Sequence, residues 1–224
     1  MEKNEGPRRD IKHYDSTRDP SLELQRQINN SIASHNRKGA STKSNVTTSC
    51  CDDENNNNND VKHIISEPGT PPVGSQFEYL DHPADIILHA WGNDISYALS
   101  NLVICMFGYM TSLESISINA AQSLEFGSNI VGEGHDLHSL IYSFLDEWLY
   151  NFHDTNFVPK EVTISQFQGN NHNNNVWKIV SSGKGEVMDI ARHPQGTEVK
   201  AITYSGMKVE EKVGRCDVYV VVDI

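Results

Sequence analysis

Basic residues are scarce in the last two thirds of this chain. The whole sequence of 224 residues carries 18 Lys and Arg against 30 Asp and Glu, which gives a formal charge of −12. Residues 75–224 hold 8 of the basic and 19 of the acidic residues, so this part alone has a charge of −11. Such an acidic surface repels a phosphate backbone. The composition therefore argues against direct nucleic-acid binding and favours a cation or a basic protein as the partner.

The sequence also lacks a disulfide framework, a signal peptide and a membrane span. Its 4 cysteines are Cys50, Cys51, Cys105 and Cys216, and no Cys-x-x-Cys pair occurs among them. This usage is typical of a reducing compartment. The N-terminus is charged rather than apolar, and no apolar run approaches the ~20 residues that cross a bilayer. We therefore expect a soluble protein of the cytoplasm, the nucleus or both.

Motifs of covalent catalysis and phosphate binding are missing too. We find no Gly-rich phosphate loop, no Ser/His/Asp arrangement and no cysteine-nucleophile motif. The sequence Gly183-Lys184-Gly185 is too short to count as a phosphate loop. The residues alone therefore do not predict an enzyme.

Residues 1–74 and residues 75–224 differ in composition and so divide the chain. The first segment has few apolar clusters and contains the asparagine run 55–59. A segment of this kind buries too little apolar surface to offset the entropy of ordering, so we expect a disordered low-complexity tail. The remaining 150 or so residues are near the usual size of a single domain.

Within the domain, hydrophobic spacing predicts two main helices. Apolar residues recur at intervals of three and four from Ile95 to Met110, and again from Leu137 to Phe152 after a possible cap at Asp136. Period-two patterns predict the strands. They are Phe77–Leu80, Ile86–Trp91, Ser115–Gly127, Val162–Gln168, Val176–Ser182, Gly185–Ile190, Glu198–Tyr204 and Val218–Asp223.

Two further features complete the expected fold. The glycine-rich stretch 127–134 is predicted to be a loop, and residues 169–175 are predicted to be the long polar tip of a hairpin. Together the elements indicate an α+β fold of two layers. In this fold one mostly antiparallel, mixed sheet packs on two main helices.

Carboxylates at two distant places in the sequence suggest a cation site. Asp223 and the main-chain carboxylate at Ile224 place two oxygen donors side by side, and Asp85 would add a third if the strands pair. Hard divalent cations take such ligands. Two other interpretations stay open from the residues alone. Asp85 is suited to cap its own turn after Pro83, and the final carboxylates are suited to an exposed, solvated terminus.

Other polar residues near these segments are ambiguous. Glu147 lies at the margin of the apolar face of the second helix, while Asp146 is expected on the solvent side. Lys200 follows the turn His193-Pro194-Gln195-Gly196 and is either a solvated edge residue or a positioned cation. The spacing of His82 and His89 matches no zinc motif, so both are interpreted as structural.

Six distinctive segments occur in order across residues 76–224. They are Tyr79–Asp85, Leu88–Gly92, Met106–Met110, Leu140–Tyr150, His193–Tyr204 and Asp223–Ile224. Together, and in this order, they resemble the archease family. The turn Tyr79–Asp85 has Pro83 where the family usually has Thr, and residues 1–74 have no counterpart in the resemblance.

The resemblance implies a non-catalytic cofactor of the RNA-splicing ligase that joins 2′,3′-cyclic phosphate (or 3′-phosphate) and 5′-hydroxyl RNA ends in tRNA splicing. The expected partner is the catalytic subunit of that ligase, whose guanylylation and multiple turnover the cofactor promotes. By the same resemblance, a divalent metal, with calcium expected first and magnesium or manganese as alternatives, is held by Asp85, Asp223 and Ile224. Lys200 and Glu147 are then candidates for ligase activation.

Two other classes of function remain as alternatives. One is a metal-dependent phosphoester hydrolase that uses the same carboxylates, with Lys200 stabilising negative charge as it develops. The other is a chaperone-like binding module. Turnover of a phosphoester by the protein alone would favour the first, and stimulation that is not limited to one ligase would favour the second.

Overall fold

The structure is a computed structural model, and it describes residues 67–169 and 176–224. Most of the predicted tail and most of the hairpin tip therefore lie outside the described residues. The last residues of the predicted tail contact the domain, because the N–H of Gly69 donates to the carbonyl of Gly108 at 2.8 Å. Gly69 has a φ of +77°, a backbone conformation that glycine adopts without strain.

The described residues contain three helices and seven strands. The helices are α1 (Ile95–Met110), α2 (Ala120–Phe126) and α3 (Leu137–Thr155). The strands are β1 (Phe77–Asp81), β2 (Ile86–Gly92), β3 (Ile130–Gly134), β4 (Phe157–Gln168), β5 (Trp177–Val187), β6 (Ala201–Lys212) and β7 (Arg215–Asp223).

The strands form two antiparallel sheets. One has the order β1-β2-β7-β6, and the other has the order β3-β5-β4. The predicted α+β class is thus confirmed, but the strands do not form the single sheet that we expected. The chain changes sheet twice, first between β2 and β3 and again between β5 and β6.

The two main helices are confirmed, and each begins at an acidic cap. The side chain of Asp94 accepts hydrogen bonds from the N–H groups of Ser96 and Tyr97 at the start of α1. At the start of α3, Asp136 accepts from the N–H of Ser139 at 2.7 Å. Such caps satisfy N–H groups that have no partner within the helix. They fix where each helix begins.

Apolar faces of α1 and α3 fill the core between the sheets. Helix α1 contacts β2, β4 and β7, and α3 contacts both β3 and β6. The indole of Trp148 on α3 is fully buried, and its Nε1 donates to the hydroxyl of Ser181 on β5 at 3.2 Å. Burial of apolar side chains along both helices supplies most of the stability of such a fold.

The segment 115–134 differs from the prediction. Residues 120–126 form helix α2 rather than a strand, because Asn119 accepts from the N–H groups of Ala121 and Gln122 and so caps a helix. Residues 130–134 form strand β3 rather than a loop. Gly132 lets this strand approach α3, since a Cβ there would lie 2.7 Å from the Cα of Phe144. The glycines reflect close packing rather than a turn.

Smaller differences concern strand ends. The predicted strand Gly185–Ile190 is the end of β5, which stops at Val187, so Met188 to Ile190 follow it. Strand β6 begins at Ala201 instead of Glu198 and continues to Lys212. Strand β7 begins three residues before the predicted Val218.

In the part of the chain that the structure describes, none of the helices is both long enough and apolar enough to cross a bilayer.

Candidate metal site at one end of the four-stranded sheet

Three strands bring the predicted site residues to the same end of the four-stranded sheet. Ile86, the first residue of β2, pairs with Val222 of β7, and Ala201, the first residue of β6, pairs with Asp223. Asp85 directly precedes Ile86, and Asp223 directly follows Val222, so both lie at this end of the sheet. The fold thus brings to one end of the sheet carboxylates that lie far apart in sequence.

Lys200 lies at the same end. Its N–H donates to the carbonyl of Asp223 at 2.9 Å, which continues the ladder of β6 and β7 by one residue. The Lys200 and Asp223 residues are exposed, and Ile224 is half-buried. The side chain of Asp85 is 27% exposed. This end of the sheet is therefore accessible to a solute. It carries the carboxylates of Asp85 and Asp223 and the basic side chain of Lys200.

The number of side-chain ligands at this end is small. Among the residues that the structure describes, no group of three or more His, Cys, Asp or Glu side chains is arranged to hold a metal ion. The predicted set contains only two side chains, Asp85 and Asp223, since its third member is the main-chain carboxylate at Ile224. Metal binding therefore stays a prediction.

His82, which was interpreted as a structural residue, lies next to Asp85 at this end of the sheet. Its Nδ1 is 3.3 Å from Oδ2 of Asp85, and its side chain is only 8% exposed. Neither ring nitrogen has a hydrogen-bond partner with acceptable geometry. No pattern in the sequence predicts this burial, because His82 stands in a polar turn beside Pro83 and Asp81.

Glu147 is less clearly connected to the site. It is exposed on α3, as Asp146 is, so the two do not differ in exposure as predicted. Helix α3 reaches β6 where the rings of Tyr142 and Tyr204 meet, with their centroids 6.0 Å apart. The contacts described in the structure do not link Glu147 to Asp85.

A buried network of charged side chains on the same sheet was not predicted from the sequence. The ring of His89 has Nδ1 at 2.7 Å from Oε1 of Glu78 and Nε2 at 3.0 Å from Oδ1 of Asp217. Arg215 donates to both oxygens of Asp217. The ring of His89 also stacks on Tyr219 at 4.1 Å. The signal was available only in part, since β7 was predicted to begin after Asp217.

The pKa of Asp217 reflects this network. Burial alone would raise the pKa, but hydrogen bonds and charge from Arg215 and His89 outweigh burial and lower the pKa below the usual range. Asp217 is therefore held ionised inside the protein.

A second network anchors the turn before Lys200. Oε1 of Glu186 accepts from the N–H of Ser117 at 2.6 Å, and Oε2 accepts from Arg192 at 2.9 Å. Burial works to raise the pKa of Glu186, but these donors lower it overall. Nδ1 of the buried His193 accepts from the N–H of Asp189 at 2.9 Å. These contacts fix the His193 turn from which the chain enters β6.

The comparisons with known proteins agree over the whole domain. A sequence model described as the Archease protein family (MTH1598/TM1083) matches residues 77–224. Protein archease of Danio rerio is 41% identical over 155 residues, which cover 69% of this chain and 88% of that protein. The archease-like protein of Dictyostelium discoideum is 41% identical over 148 residues, which cover 66% of this chain and 93% of that protein.

More distant relatives extend the agreement to archaea. Protein archease of Pyrococcus furiosus is 34% identical over 140 residues, which cover 60% of this chain and 88% of that protein. The solution structure of Methanobacterium thermoautotrophicum protein 1598 superposes with a TM-score of 0.53 at 22% identity, and it covers 67% of this chain and 99% of that one. At that identity the likeness supports the fold alone. The family match over residues 77–224 and the identity to several relatives lead to one conclusion: this chain belongs to the archease family.

Proposed function

We propose that this protein is a non-catalytic activator of the RNA ligase that joins 2′,3′-cyclic phosphate (or 3′-phosphate) and 5′-hydroxyl RNA ends in tRNA splicing. In this proposal the protein promotes guanylylation of the ligase and allows it to turn over repeatedly. The observation that carries the proposal is the match to the archease family across residues 77–224.

The charge of the domain supports a protein partner rather than RNA. Its formal charge of −11 disfavours contact with a phosphate backbone. A ligase that binds RNA ends needs a basic cleft, and an acidic surface is complementary to such a cleft. Complementary charge speeds association and fixes orientation more than it adds affinity. The acidic end of the four-stranded sheet is the surface that we propose to dock.

The proposal includes a divalent cation held by Asp85, Asp223 and the main-chain carboxylate at Ile224. The antiparallel pairing Ile86↔Val222 supports it, because Asp85 and Asp223 flank this pair at the same end of the sheet. These donors are the hard oxygen ligands that calcium, magnesium and manganese take. Calcium is expected first from the resemblance to the family. When bound, the ion would supply a positive centre for phosphate oxygens at the ligase.

Lys200 and Glu147 are the activation candidates within this proposal. Lys200 is exposed next to Asp223, and the hydrogen bond between their main chains holds it there. An ammonium group at this position would face the same docked surface as the ion. Glu147 is exposed on α3 and would contact the ligase directly.

The test is multiple-turnover ligation by the partner ligase with excess RNA ends. We expect the wild-type protein to stimulate turnover and Asp85→Asn to reduce the stimulation at least tenfold. Asp146→Asn removes the same charge from an exposed position on α3 and is the matched control, for which we expect no change. Equal stimulation by Asp85→Asn and wild type would contradict the metal-dependent mechanism. Phosphoester turnover by the protein alone would favour the hydrolase instead.

A further inference from the structure

A cavity of about 500 Å³ lies between the C-terminal ends of α1 and α3 and the stretch 188–198, which joins β5 to β6. Its apolar side chains are Met110, Phe152, Met188 and Ile190. Ile190 is 71% exposed, although burial of an isoleucine side chain is favourable. Binding sites are usually concave, with apolar side chains and a few polar groups that fix orientation. The cavity is therefore a candidate binding site for an apolar segment.

The N-terminal part of the chain enters the domain at the rim of this cavity. Gly196 lines the cavity and lies against Pro68, because a Cβ on Gly196 would be 2.6 Å from Cβ of Pro68. The next residue is fixed as well, since the N–H of Gly69 donates to the carbonyl of Gly108 at 2.8 Å. The segment that directly precedes Glu67 therefore begins beside the cavity.

That segment, Val61–Ser66, lies outside the described residues, and its sequence is Val-Lys-His-Ile-Ile-Ser. It is the last apolar stretch before the domain. An extended residue spans at most about 3.6 Å, so Ile65 and Ile64 lie within about 11 and 14 Å of Pro68 along the chain. Both isoleucines are thus close enough to the rim to reach the apolar lining.

The charges at the cavity are complementary to this segment. Glu198 lines the cavity and is exposed. Asn156, which caps the C-terminus of α3, also lines it, and the carbonyl groups at a helix C-terminus favour a nearby cation. The described lining contains no Lys or Arg, and its one basic side chain is the exposed His153. A lysine such as Lys62 therefore suits this site.

We propose that the segment Val61–Ser66 docks in this cavity of its own chain. Ile64 and Ile65 contact the apolar lining, and Lys62 lies beside Glu198. A segment tethered next to its site has an effective concentration of about millimolar, so that weak contacts are enough to hold it. The docked segment covers the turn 194–196 and extends the contact that Pro68 makes there. This inference is independent of the proposed metal site and of the ligase.

The experiment detects contacts between methyl groups by nuclear Overhauser effects in the full chain, labelled at its isoleucine and methionine methyls. We expect effects between Ile64 or Ile65 and Met188. An equal mixture of chains labelled only at isoleucine with chains labelled only at methionine should show none. Absence of the effect in the doubly labelled chain would overturn the inference. Its presence in the mixture would also do so, because a second copy would then occupy the cavity.

A pair of variants tests the cavity side of the contact. Ile190→Asp places a charge in the apolar lining, and because Ile190 is exposed, the domain should remain folded. The matched control is Val213→Asp at the fully exposed turn between β6 and β7. We expect the effects to Met188 to be lost in Ile190→Asp and retained in Val213→Asp. Retention in both variants would overturn the assignment of this cavity as the docking site.

A second pair tests the segment side through the chemical shifts of the methionine methyls. Replacing both Ile64 and Ile65 by Asp should shift the Met188 signal and leave that of Met207, which does not line the cavity, unchanged. The control replaces Ile28 and Ile32 by Asp, and for it we expect no shift of either signal. An unchanged Met188 signal in the first variant would contradict docking by Ile64 and Ile65.

Discussion

Two histidines stand beside carboxylates but have different environments: His89 lies on β2, and His82 lies in the turn between β1 and β2. Both ring nitrogens of His89 meet carboxylate oxygens, from Glu78 at 2.7 Å and from Asp217 at 3.0 Å. His82 is almost equally buried, but its only acidic neighbour at ion-pair distance in the described residues is Asp85 at 3.3 Å, without a hydrogen bond. His89 belongs to a closed hydrogen-bond network, whereas neither ring nitrogen of His82 has a hydrogen-bond partner in the part of the chain described.

The two environments belong to two parts of the sheet, its interior and its end. The interior of the sheet satisfies its buried charges within the protein, as Arg215 does for Asp217. At the end of the sheet, the chain brings Asp85 and Asp223 together and leaves them accessible. Residues that bind ligands commonly have unmet partners in the free protein, and that arrangement costs stability.

The largest expected effect on the free energy of unfolding is that of His89→Leu, and His82→Leu is its comparison. In the presence of a chelator, His89→Leu should lower the free energy of unfolding by about 2 kcal/mol, because Glu78 and Asp217 lose their buried donor. His82→Leu should change it by less than about 1 kcal/mol, since no hydrogen bond is lost. Urea denaturation of both variants and of wild type measures these values.

The two leucine variants serve as controls for each other, because the residue removed and the residue introduced are the same. A loss for His82→Leu as large as that for His89→Leu would show that His82 is a structural residue. The contrast between the His82 ring and the hydrogen-bonded His89 ring would then have no energetic meaning.

A smaller change in the free energy of unfolding is expected when the pH is lowered. The pKa of Asp217 in the folded protein is lowered because bonds from Arg215 and His89 outweigh burial. The stabilisation by this carboxylate is therefore complete above the unfolded pKa of about 3.9, and it is lost as the pH falls through the lower folded pKa. Urea unfolding between pH 3 and pH 6 should show the free energy of unfolding rising with pH in the lower part of this range.

The control for this dependence is Asp217→Asn, in which the amide does not titrate. We expect its unfolding free energy to rise less steeply between pH 3 and pH 5 than that of wild type. Glu186, whose pKa is also lowered, keeps part of the slope in both proteins. An identical slope in the variant would exclude Asp217 from the network that stabilises the sheet.

Long periodic segments made the main elements of the fold predictable. The spacing of apolar residues predicted α1 from Ile95 to Met110 with both ends correct, and Asp136 was identified as the cap of α3. The predictions of short elements were wrong, because a seven-residue helix such as α2 has too few turns to give a periodic pattern of apolar residues. Gly132 was read as a loop residue, although it allows β3 to pack closely on α3.

The presence of Asp85 and Asp223 at one end of the sheet was predictable from the sequence, whereas the burial of His82 was not. Both aspartates were named by their chemistry and by the family resemblance, and the pairing of β2 with β7 brings them to the same end. Burial of His82 depends on tertiary packing, which a polar turn does not reveal. The network around His89 was missed because its partner Asp217 preceded the predicted start of β7.

Anomalous diffraction of tag-free protein crystallised with Mn²⁺ tests the proposed metal site most directly. We expect one strong peak about 2.1–2.3 Å from oxygens of Asp85, Asp223 and the main-chain carboxylate at Ile224. A peak that contacts only other residues, or no peak at all, would contradict the proposed ligand set.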